Sequence, residues 1–149
     1  MEKTKLLLES ISNGKAILLE EYVYDINGYL IRVPKSFITD WASVPKSLQW
    51  LYNPFGRYIK AAVVHDYLYS CYNNTGINRT LADKIFKHIM KETGVDDRTI
   101  RRFYIAVRCF GETSWKPKLL NEGYKDRAIV DKTKEAKEYY NFLDKVLGL

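Results

Sequence analysis

The chain has 149 residues, enough for one domain with a single core, and its 46% hydrophobic content excludes wholesale disorder. The net charge of +6 is spread among acidic residues and forms no basic block, so there is no specific nucleic-acid signal. Two cysteines without ligand spacing exclude both a disulfide framework and a zinc site, and no apolar run reaches membrane-spanning length.

The opening Met1-Glu2-Lys3-Thr4-Lys5 leads into too few leucines for a signal-peptide core. Strands are expected from Leu6-Leu7-Leu8 onward, over 16–24, and over 29–38 after the Asn27-Gly28 turn dipeptide. Pro34 puts the last of these at a sheet edge or interrupts it. From Thr39 the pattern changes: a loop through Asp40-Trp41-Ala42-Ser43-Val44-Pro45 precedes a short helix near 47–51. Tyr58, Ala61, Ala62, His65, Leu68, Tyr69 and Tyr72 then recur at helical spacing, and Asn73 to Gly76 end that helix.

A second helix is expected over 79–93, with Ala82, Ile85, Phe86 and Ile89 inward and Gly94 as its stop. Asp96 or Asp97 caps a third, with Ile100, Phe103, Tyr104 and Val107 as its stripe and Gly111 at its end. Residues 112–127 read as a wrapping loop, and 130–147 as a final amphipathic helix. The expected fold is therefore α+β, one domain over 1–149. A strand-rich antiparallel hairpin sheet (1–40) precedes a helical core (41–111), then the wrapping loop and last helix (112–149), about four helices in all. Cys71 and Cys109 are expected to be reduced and buried, as in a reducing compartment.

The residues that carry chemistry are His65, Asp66 and Tyr69, with Asp83 at the start of the next helix. A short connection makes the two helices neighbours, so Asp83 can fix the orientation of His65 and leave its other ring nitrogen to take a proton from water. Asp66 can ligate a hard divalent cation, with Asp40 or its loop carbonyls supplying further oxygens. The plain alternatives are a satisfied core histidine, a capping box in Thr80-Leu81-Ala82-Asp83, and a local turn at Asp40.

The runs Phe37-Ile38-Thr39-Asp40-Trp41-Ala42-Ser43-Val44-Pro45, Ala61-Ala62-Val63-Val64-His65-Asp66-Tyr67-Leu68-Tyr69, Ala82-Asp83-Lys84-Ile85-Phe86 and Ala106-Val107-Arg108-Cys109-Phe110-Gly111 resemble a family of small proteins from phages and prophages. It is known as domain of unknown function 1353, and the likeness covers about 33–115. The resemblance implies a phage or prophage origin, host cytoplasm or virion as location, and phage structural proteins as partners. A second resemblance is mechanistic. His65-Asp66-x-x-Tyr69 with a distant Asp83 is similar to the active-site helices of small bacterial phospholipase A₂ enzymes, whose calcium-loop glycines and paired cysteines this chain lacks. It implies His65 as base, Tyr69 and Asp83 as its supports, Asp66 on calcium, and a lipid or other ester as substrate. Two readings follow: a metal-assisted ester hydrolase, or a non-enzymatic virion or tail-assembly component in which the same residues are structural.

Overall fold

The computed structural model describes residues 1–11, 14–40 and 56–115, with Asn141, Lys145 and Gly148 individually. Five strands come first: β1 (Leu8–Ile11), β2 (Lys15–Leu18), β3 (Tyr22–Ile26), β4 (Tyr29–Val33) and β5 (Ile38–Asp40). Helices α1 (Ile59–Tyr69), α2 (Arg79–Glu92) and α3 (Asp97–Phe110) follow, and a 3₁₀ turn at Gly111–Ser114 closes the described part. The α+β class and the antiparallel N-terminal strands are as expected. Among the described residues the α-helices number three rather than about four. The expected helix near 47–51 and most of the wrapping loop lie outside the described residues, as does the expected helix over 130–147 apart from Asn141 and Lys145, which are both helical.

The strands form two sheets where a single hairpin sheet was expected: β1-β2-β5 and the hairpin β3-β4, antiparallel throughout. The segment 16–24 divides because Leu18 and Tyr22 are both buried while the adjacent Glu20 and Glu21 are exposed. Keeping two carboxylates in water, paired with Lys35 and Arg32, bends the chain and sends its halves into different sheets. The segment 29–38 breaks after Val33, where Pro34 has no N–H for a ladder. Ser36 then enters the left-handed region at φ 66°, and Ile38 pairs with Ile17 of β2. In the hairpin, Asn27 (φ 50°) and Gly28 (φ 91°) supply the two positive dihedrals of a two-residue turn between Ile26 and Tyr29. The Asp25 carboxylate accepts from the Gly28 N–H at 2.7 Å.

Helix α1 is buried on more than one side, through Ala61, Val63, Val64, His65, Tyr67, Leu68 and Tyr69. It packs on α2, and against β4 and β5. It ends at Tyr69, so Tyr72 lies beyond the helix and is exposed rather than part of its stripe. The connection to α2 is tied by buried Asn73, whose side chain donates to the Leu68 carbonyl at 2.8 Å and accepts from Thr75 N–H at 2.9 Å. Asn78 caps α2 by accepting from the Leu81 N–H at 2.8 Å, and Asp96 caps α3 by accepting from the Thr99 N–H at 3.0 Å. The inward residues of α2 are those expected, joined by Leu81, Asp83 and Met90. On α3, Ile100 and Phe103 are buried, with Ala106 in place of Tyr104 and Val107, which are half-buried.

Both cysteines are exposed, against the expectation of buried thiols. Cys71 falls in the turn beyond α1, and Cys109 lies on the outward side of α3. No helix among the described residues is long and apolar enough to cross a membrane.

Candidate functional site

Asp83 is fully buried on α2 and is the hub of the site. Its Oδ1 lies 2.9 Å from Nε2 of His65 and accepts from the Tyr69 hydroxyl at 2.6 Å. Its Oδ2 accepts from Nη1 of Arg108, on α3, at 2.8 Å. Three helices thus converge on one carboxylate. The capping-box alternative fails because Asn78 already caps α2, which frees the Asp83 side chain for tertiary partners.

The electrostatics follow from these contacts. Burial alone would raise the Asp83 pKa, but the hydrogen bonds from His65, Tyr69 and Arg108 outweigh it and hold the carboxyl below its ordinary value. Burial, reinforced by the neighbouring Asp83, drives the Tyr69 phenol well above its usual range, so Tyr69 acts as a hydrogen-bond donor throughout ordinary pH. An ionised Asp83 is an acceptor only, which places the ring proton of a neutral His65 on Nε2. Nδ1 then carries the lone pair, and it has no hydrogen-bond partner among the described residues.

Packing fixes the imidazole in that orientation. Its ring packs against those of Tyr69 and Phe86, at centroid distances of 4.1 and 4.7 Å. Trp115 meets Tyr69 edge-on at 5.1 Å. A methyl group built on Gly111 would sit 2.7 Å from the Tyr69 hydroxyl, so the glycine is needed there for space and not for its dihedral, φ −72°. His65 keeps 7% of its surface exposed.

Asp66 does not join this cluster. Its carboxylate accepts from the hydroxyl of Thr39, a fully buried residue of β5. β5 therefore brings the backbone of Asp40 close to Asp66, while the Asp40 side chain lies outside what is described. Calcium takes six to eight oxygens. Among the described residues no group of three or more histidine, cysteine or acidic side chains could hold a metal ion.

His65, Tyr69 and Asp83 thus come together as expected, and Asp66 stands apart on a sheet-facing contact. Arg108 was not foreseen. It falls within a quoted motif, but nothing in its spacing ties it to Asp83; only the packing of α3 on α2 does. Gly111, read as a helix stop, contacts the site directly.

No curated protein and no solved structure matches the chain. The model of the family described as "Protein of unknown function (DUF1353)" matches residues 16–107, which takes in β2 to β5, α1, α2 and α3 as far as Val107. That match covers more than half of the sequence, and the chain belongs to this family.

Proposed function

We propose that the chain is an ester hydrolase in which Nδ1 of His65 is the general base. Nδ1 takes a proton from water as the water oxygen attacks the ester carbonyl. The imidazolium that forms is stabilised by ionised Asp83 and returns its proton to the departing alkoxide. Tyr69 and Arg108 hold the carboxylate so that it neither rotates nor protonates. The observation that carries this reading is the partnering of His65: one ring nitrogen lies against a carboxylate with three donors around it, and the other has no hydrogen-bond partner among the described residues. Asp66 and Asp40 are the residues that would hold a divalent cation such as calcium, and no step here depends on one.

A second reading is favoured by the burial of Asp83 and the 7% exposure of His65. In it the chain is a phage virion or tail-assembly component, and the network only locks three helices together. His65→Asn separates the two, because asparagine can keep one hydrogen bond to Asp83. As a hydrolase the variant should retain its melting temperature to within a few degrees and lose roughly two to four orders of magnitude in turnover. Assays on ester panels, with calcium and with chelator, measure the second quantity. Failure of the natural chain to cleave any ester under both conditions would leave the structural reading in possession.

A further inference from the structure

Two guanidinium groups flank the site, and among the described residues one carboxylate answers them. Arg108 donates to Asp83 Oδ2 at 2.8 Å and to the Thr80 hydroxyl at 3.4 Å, with a third of its side chain exposed. Arg79, the half-buried first residue of α2, donates through Nη1 to the Arg108 carbonyl at 3.4 Å. Its charge also acts on the Tyr69 phenol, which itself contacts Asp83. No carboxylate among the described residues pairs with Arg79, and the first turn of α2 carries no acidic residue. Asp83 is meanwhile shared among His65, Tyr69 and Arg108. Among the described residues the cluster therefore carries one positive charge in excess at a partly desolvated place, where an unanswered charge is costly.

We infer that Arg79 and Arg108 form an oxyanion-binding subsite beside the His65–Asp83 pair, built to take a phosphate or carboxylate group. The planar fork of arginine matches both groups in bidentate fashion, and a singly charged oxyanion balances the excess. As the anchor of a substrate's anionic end, the subsite rests on the hydrolase reading. As an anion site it stands without that reading.

The test is a calorimetric titration of the full chain with inorganic phosphate at constant ionic strength, with chloride as the control for screening. The natural chain and His88→Asn, a change toward the other end of α2, should bind phosphate with the same saturable Kd. Arg79→Gln should weaken binding about tenfold or more, the worth of one charge-assisted contact. Arg79→Lys keeps the charge and loses the fork, and should fall between; it also serves if the glutamine variant does not fold. Absence of saturable binding above the chloride control, or an unchanged Kd in both Arg79 variants, would overturn the subsite. Esters with and without an anionic group then separate the two proposals. Phosphate binding without any ester cleavage keeps the subsite and removes the hydrolase. Cleavage indifferent to substrate charge and to Arg79 removes the subsite and keeps the hydrolase.

Discussion

A carboxylate on helix α2 meets a tyrosine and a histidine at two places, with opposite results. Near its start, Asp83 meets the Tyr69 hydroxyl at 2.6 Å and His65 at 2.9 Å. At its end, Glu92 meets the Tyr24 hydroxyl at 2.6 Å and His88 at 3.7 Å. The first carboxylate is fully buried, and its histidine comes from another helix. The second has a 36% exposed side chain, and its histidine lies one turn back on the same helix. Residue types therefore do not make a site. The difference is that tertiary packing encloses Asp83 completely, whereas the Glu92 side chain stays partly in solvent, which screens its ion pairs.

The contrast can be broken first at the histidines. His65→Asn should cost roughly two to four orders of magnitude in ester turnover, while His88→Asn should cost none. Equal activity of the two variants would remove any special standing of the buried trio. Next in size is removal of the hub itself. Asp83→Ala strands Arg108, Tyr69 and His65 around an empty place and should lower unfolding free energy by about 3–5 kcal/mol. The same change at Glu92 should cost less than about 1 kcal/mol, both read from urea melts.

Tyrosine hydroxyls sharpen the comparison further. Tyr69→Phe removes a buried bond to an ionised group and should cost about 1.5–3 kcal/mol. Tyr24→Phe, at the wetter carboxylate, should cost about 1 kcal/mol or less. The smallest effect lies in acid. Because folding lowers the Asp83 pKa, the unfolded chain binds the proton more readily. The stabilisation is thus fully present above the ordinary aspartate value of about 4, and is lost as pH falls below it through the depressed folded value. The stability difference between the natural chain and Asp83→Asn should be flat above about pH 5 and shrink below about pH 4. A difference that grows on acidification would mean the sign is wrong.

Local chemistry was enough for much of this molecule. Alternation and Asn27-Gly28 specify a hairpin because positive dihedrals are local demands, and Pro34 announces a break because its nitrogen has no proton. Period-3.6 stripes give α2 and α3 nearly to the residue, with a legible cap for α3 alone, since those helices each bury one side. The pairing of His65 with Asp83 was legible for the same reason: a short connection leaves two successive helices few ways to meet. Other features depend on who the neighbours are. Helix α1 is buried on more than one side, so its stripe misled on Tyr72, and nothing local shows that Cys109 faces outward. The division of 16–24 between two sheets reflects competition between burying Leu18 and Tyr22 and solvating Glu20 and Glu21. Arg108 reaches Asp83, Gly111 yields to Tyr69, and Asp66 turns to Thr39 only once α3 and β5 have docked. Such contacts join residues far apart in the chain, and a linear pattern holds no record of the distance between them.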